Sequence, residues 1–220
     1  RAGQAFQVFG AFWRAACAAA HYPAPLPAPR GMVFAPCVAA PTLRVALDDA
    51  LGRLPAWARA MQPNHVFSEQ DAHARLQDFM AHDLQAYAQE RDFPQRETTS
   101  GLSPFLRTGQ ITPGQVWHAI SARGAAEGAA KFLSEIGWRE FAWSLLWEHP
   151  DLCTRNLKPE FDSMPWRVDP KGLARWQQGR TGYPLVDAGM RQLWQTGLMH
   201  NRVRMVVASF LVKHLLIDWR

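Results

Sequence analysis

Two short stretches of this sequence set groups of opposing chemistry at helical spacing. In SEIGWREF, residues 134–141, Glu135, Trp138 and Arg139 fall at i, i+3 and i+4. That spacing gathers an acid, a flat aromatic and a fixed cation on one helix face. An ordinary Glu–Arg surface pair beside a core tryptophan has the same spacing. In MHNRVRM, residues 199–205, Asn201, Arg204 and Met205 repeat the pattern with an amide, a cation and a soft apolar group. Arg202 points about 100° away, toward a neighbouring surface. These polar groups crowd the start of the apolar run VVASFLVKHLLI. An unpaired guanidinium is costly to bury. A polar-lined cavity shared by the two patches would resolve the conflict; so would a helix N-terminus that simply reaches solvent. A third stretch, TTSGLS at 98–103, offers hydroxyls, a glycine and backbone N–H groups just ahead of a short helix. That composition suits a phosphate, although Thr and Ser are also common caps. It is neither a Walker loop nor a GxGxxG turn.

The elements that must position these groups read as helices throughout. Residues 4–20 predict one helix with Phe6, Phe9, Phe12 and Trp13 on its apolar side. The proline-rich run from His21 to Gly31 cannot continue it and predicts a linker or surface-hugging loop, with irregular sequence to about Asn64. Ser68 is a candidate N-cap, with Glu69 and Asp71 in the first turn of a helix to about Glu90. Residues 98–109 form a loop leading into a short helix, and Thr112-Pro113 opens the next. Further helices are predicted over 126–149, 171–178, 185–196 and from about 200 onward. Alternating β patterns are nearly absent, so the fold class is all-α.

Composition narrows the function. The 220 residues are 48% hydrophobic, enough for a packed core in one large or two small domains. A net charge of +5 fits a polyanionic partner or a solvated basic surface equally well. Ten tryptophans leave room for stacking platforms or electron relays beside core packing. Cys17, Cys37 and Cys153 are widely spaced without a CxxC, which argues against a disulfide framework or metal site and for a reducing cytoplasm. No run of about 18 apolar residues predicts a membrane span. The chain opens on Arg and closes inside the expected last helix, the pattern expected of a fragment cut at both ends. Trp166 and Trp219 fit no amphipathic stripe, and His200 and His214 suit helix-end or packing roles.

The segments YAQERDFP (87–94), TTSGLSPFLRTG (98–109), SEIGWREF, GRTGYPLVDAGMRQL (179–193) and MHNRVRMVVASFLVKHLLIDWR (199–220) stand in the order and spacing of the cryptochrome/photolyase family. They resemble most closely the bacterial cyclobutane pyrimidine dimer photolyases. The resemblance covers roughly Tyr87 to Arg220, and more loosely QAFQVFGAFWRA near the start. It implies a helical FAD-binding domain of the photolyase type, truncated at both ends. Residues 1–66 would be an interdomain helix and Pro-rich linker, and 67–220 a helical FAD- and DNA-binding catalytic domain incomplete at its C-terminus. The N-terminal α/β antenna domain, with its chromophore site, would be absent.

The implied activity is light-driven, working as a monomer on DNA containing pyrimidine dimers, without a membrane. A damaged dinucleotide is flipped out of the duplex. Excited reduced FAD passes it an electron, the cyclobutane bonds open, and the electron returns. The resemblance implies that Tyr87, Thr99, Ser100, Gly101, Leu102 and Ser103 contact the FAD phosphate region. It makes Phe132, Glu135, Arg139, Asn201 and Arg204 FAD-pocket residues, with Phe132 standing where some relatives carry tryptophan. Glu135 would hydrogen-bond the dimer and Trp138 would wall it by stacking, worth roughly 1–3 kcal/mol. Asn201 would lie near the dimer, Met205 would touch it, and Arg91 and Arg202 would contact DNA. Trp166 and Trp219 would be the outer and middle members of a tryptophan electron relay. The alternative is a cryptochrome-type light sensor without repair; Trp138 and Met205 favour repair. Repair of (6-4) lesions is disfavoured by HNRVRM, and a helical interaction domain without cofactor is the remaining class.

Overall fold

The computed structural model describes residues 6–19, 24–27, 29, 31, 33, 49, 53, 55–61, 68–124 and 126–220. Among these residues the protein is helical and contains no strand. In chain order the helices are α1 (Phe9–Ala19), α2 (Ala56–Met61), α3 (Glu69–His82), α4 (Tyr87–Glu90), α5 (Ser103–Thr108), α6 (Pro113–Ser121), α7 (Glu127–Glu148), α8 (Pro170–Gln177), α9 (Pro184–Thr196) and α10 (Asn201–Ser209). No helix among the described residues is long and apolar enough to cross a membrane.

Local chemistry starts two helices as the sequence predicts. The Ser68 hydroxyl accepts from the Asp71 N–H at 3.0 Å, and the Asp71 carboxylate accepts from the Ser68 N–H at 3.1 Å. Thr112 and Gln115 make the same reciprocal pair, at 3.2 and 2.8 Å. Each box satisfies two N–H groups that a helix start otherwise leaves open.

Three expectations are corrected. The helix predicted from Ser68 to Glu90 breaks into α3 and α4. The break turns the Leu84 carbonyl toward Gly128 at the start of α7, where a Cβ would lie 1.8 Å from the oxygen. Leu84 donates its own N–H back to Phe79 at 2.9 Å. The stretch predicted irregular as far as Asn64 contains α2, whose Ala, Arg and Met residues favour helix between flanking prolines. The last helix does not run to Arg220. It widens into a π-helical turn at Phe210–His214 and stops, and Leu216 takes a left-handed φ of 55°. The Leu216 carbonyl then accepts from the Arg167 N–H at 2.7 Å. The ends of the first predicted helix, residues 21–23, 28 and 30 of the 21–31 linker, and Cys37 lie outside the described residues.

Two hydrophobic clusters organise the chain. The larger joins α3, α4, α6 and α7 through Leu76, Phe79, Tyr87, Val116, Phe132 and Ile136. Full burial of each such side chain is worth about 1.5–3 kcal/mol. The smaller joins α9 and α10 through Val186, Met190, Val203, Val207 and Phe210. α8 is tied to it by the Trp176 indole, which donates to the Val207 carbonyl at 3.1 Å. α1 packs on α7, with Phe9 stacked on Trp138 at 3.8 Å between ring centroids. α2 packs on α9, with Trp57 edge-on to Trp194 at 6.1 Å. α1 and α2 therefore dock on helices of the later chain.

Candidate functional site

A cavity of about 600 Å³ takes its walls from elements of both clusters. α3 contributes Arg75 and α4 Tyr87. The 98–102 loop and the start of α5 contribute Thr99, Ser100, Gly101, Leu102 and Ser103. α7 adds Glu135, and α10 adds Asn201 and Arg204. A second cavity of about 380 Å³ shares Tyr87, Ser100, Ser103 and Glu135 with the first and adds Phe132, Ile136, Arg139 and Trp143. Both volumes fall in the range of about 300–1,000 Å³ typical of small-molecule and cofactor sites. One space is thus rich in guanidinium, hydroxyl and backbone N–H groups, while its neighbour is mainly apolar and aromatic. The pair suits a ligand with an anionic part and a flat apolar part.

The two sequence patches meet, but not as whole triplets. Glu135 and Arg139 face the cavities, whereas Trp138 stacks on Phe9 and lines neither. Positions i+3 and i+4 lie about 100° apart around a helix, so one neighbour can turn inward and the other outward. The same split occurs in α10. Asn201 and Arg204 line the first cavity, whereas Met205 lies beside Arg202, its sulfur 3.7 Å from a guanidinium nitrogen. Met205 lines a separate groove with Tyr183, Val206 and Phe210.

Arg91, expected to contact DNA, is buried in the cavity wall. It is ion-paired with Glu135, lies 3.4 Å from the Asp92 carboxylate and sits over the Tyr87 ring at 5.4 Å. Burial alone would lower its pKa; the Glu135 bond and the nearby Tyr87, Glu135 and Asp92 charges reverse the sign and hold it above the ordinary value. Lys131 approaches Glu135 from one turn back at 3.6 Å. Arg202 forms a bidentate pair with Asp92, at 2.7 and 3.0 Å. That bond is the main reason the Asp92 pKa lies below the usual carboxylate value. Burial pushes the Tyr87 hydroxyl up to about 12, with Arg91 opposing and Glu135 and Asp92 reinforcing. Burial also lowers the His200 pKa. Its Nδ1 accepts from the Arg202 N–H at 3.2 Å and caps α10.

The two tryptophans outside any stripe sit on adjoining segments, since the Arg167–Leu216 bond ties their neighbours together. Trp219 donates its indole N–H to Asn156 at 3.0 Å, and the Asn156 amide donates to Asp162 at 2.6 Å. The Trp166 indole nitrogen is buried without a hydrogen-bond partner among the described residues.

Sequence reasoning missed Arg75, Gln192 and His200 as cavity residues. Arg75 reaches its partners across 24 and 25 residues, beyond any local pattern. The adjacent Arg91-Asp92 pair was visible, but not that it would split between Glu135 and Arg202. Among the described residues no group of three or more His, Cys, Asp or Glu side chains could hold a metal ion.

Comparison with known proteins bears on this geometry. Residues 132–220 match the family described as the FAD binding domain of DNA photolyase. Over its whole length the chain is 44% identical to the deoxyribodipyrimidine photo-lyase of Agrobacterium fabrum, covering 46% of that protein. Its structure is similar to that of a bacterial class III photolyase from Agrobacterium tumefaciens, with a TM-score of 0.82 at 41% identity, over all of this chain and 46% of that one. A Synechocystis cryptochrome matches 70% of the chain and 33% of its own, with a TM-score of 0.65 at 33% identity. The chain spans less than half the length of these relatives.

Proposed function

We propose that this chain, which belongs to the DNA photolyase family, forms the FAD- and lesion-binding part of an enzyme that repairs cyclobutane pyrimidine dimers with light. The observation that carries the reading is that Glu135 and Asn201, 66 positions apart in sequence, line one cavity with the hydroxyl-rich 99–103 stretch.

The residues present suit FAD. The Ser100 and Gly101 N–H groups have no acceptor among the described residues and stand beside the Ser103 hydroxyl, a donor set for a diphosphate. Phe132 and Tyr87 supply aromatic walls, and Arg139 and Arg204 supply cationic edges. Bound and reduced, FAD supplies light-driven one-electron donation. The protein's part is to bind, orient and exclude water. Glu135, held by Arg91 and Lys131, would accept a hydrogen bond from a ring N–H of the flipped dimer. Asn201 would address the same lesion with either face of its amide. A polar group fixed beforehand stabilises developing charge without reorganising. Trp166 and Trp219, the outer and middle members of the relay, would pass electrons inward from the surface.

Trp138 and Met205, expected against the dimer, line neither cavity. Their placement is the observation that favours a second reading, a cryptochrome-type sensor that binds FAD without repairing DNA. The test uses the complete protein that carries this chain, scored for a flavin spectrum and for light-dependent reversal of thymine dimers. Repair by the wild type, falling roughly 100–1,000-fold in Glu135→Gln with flavin retained, is expected on the scale of losing one preorganised polar group. Flavin binding with no repair at any light dose supports the sensor.

A further inference from the structure

We propose that Arg75 is the positioning residue of the phosphate-binding loop, an inference that rests on reading Thr99–Ser103 as the FAD phosphate site. Arg75 projects from α3 and spends its guanidinium on loop backbone. Its Nε donates to the Ser100 carbonyl at 2.8 Å, and one terminal nitrogen donates to the Thr99 carbonyl at 2.9 Å. The other terminal nitrogen is fixed by Asp78, one turn along α3, at 2.6 Å.

The consequence follows from peptide geometry. In a trans peptide the C=O and the N–H of the next residue point in opposite directions across one plane. The Thr99 carbonyl shares a plane with the Ser100 N–H, and the Ser100 carbonyl with the Gly101 N–H. Drawing both carbonyls to one cation turns both following N–H groups to the opposite side, together. Successive carbonyls of an unconstrained extended segment would alternate instead. Gly101 follows with a left-handed φ of 64°, which sets the direction of the next peptide, between Gly101 and Leu102. A Cβ there would meet the Arg75 Nε at 3.3 Å. Two successive N–H groups turned the same way form an anion-binding nest. Leu102 is excluded from it, because its N–H leans back on the Ser100 hydroxyl at 3.4 Å. Lysine could supply the charge but not the planar fork that holds two carbonyls at once.

The test measures affinity of the complete protein for FAD and for riboflavin, which lacks both phosphates, in Arg75→Met and Arg75→Lys. Both variants should lose about tenfold or more in FAD affinity, the scale of removing charge-assisted hydrogen bonds. Both should bind riboflavin within about twofold of wild type and exchange the Ser100 and Gly101 amide protons faster. Wild-type FAD affinity in Arg75→Lys would show that charge alone matters and overturn the proposal. An equal loss for FAD and riboflavin, or a collapse of the melting transition in both variants, would show a merely structural role and overturn it too. Equal affinity of the wild type for FAD and riboflavin would instead remove the phosphate reading beneath the proposal, and the proposal with it.

Discussion

Arg91 and Arg202 show how neighbouring acids decide what a cation can do. The resemblance gave both the role of DNA contact, yet Arg91 is committed to Glu135 in the buried wall while Arg202 is clamped by Asp92 near the surface. A solvent-facing pair such as Asp92–Arg202 is worth only about 0–1 kcal/mol. Asp92→Asn should therefore barely move the melting temperature, yet tighten binding to duplex DNA in fluorescence anisotropy by releasing Arg202. Unchanged affinity would mean that Arg202 does not reach the phosphates. The Asp92 pKa is depressed, so the pair's contribution is present above the ordinary carboxylate range, near pH 4, and is lost as pH falls further. Tyr87 has the opposite sign. Its pKa is raised from 10.0 to about 12, so the folded state keeps a proton that the unfolded chain gives up. Stability should fall as pH climbs from about 10 toward about 12, and Tyr87→Phe should flatten that fall in denaturant midpoints taken across the range. The types of these residues were legible in the sequence. Their pairing was not, because each partner arrives from a distant segment.

At the scale of the element, legibility follows the range of the deciding contact. The starts of α3 and α6 were readable because Ser68–Asp71 and Thr112–Gln115 close within one turn. Ser68→Ala should cost about 0.5–2 kcal/mol, read as a lower urea midpoint at constant slope. The break after His82 was not readable, since it is set by the Leu84 carbonyl meeting Gly128 on another helix. Gly128→Ala would drive a methyl into backbone that has no flexible end to yield. It should cost about 1–3 kcal/mol, occasionally more. If thermal unfolding of that variant matches wild type, the contact is looser than its geometry. The helical wheel likewise located both patches but could not choose which of positions i+3 and i+4 turns inward. Trp138 and Met205 are the residues that turn away from the two cavities.

For the molecule as a whole, the all-α class was legible because nothing in the pattern competed with a helical period. The docking of α1 was not, because Phe9 meets Trp138 from the far side of a proline-rich stretch. The stacked pair makes α1 a cover over a ring that is still 46% exposed. Stacking of this kind adds about 0.5–1.5 kcal/mol beyond the buried area. Phe9→Ala should lower stability by at least that much and shift tryptophan emission to longer wavelength. An unshifted spectrum would show that the stack does not persist in solution. Farther along the chain, the left-handed turn at Leu216 leaves a single backbone bond, from the Arg167 N–H, joining residues 215–220 to the segment that carries Trp166. That amide is consequently a built-in clock: its exchange with deuterium counts how often the two tryptophan-bearing segments come apart, one proton at a time.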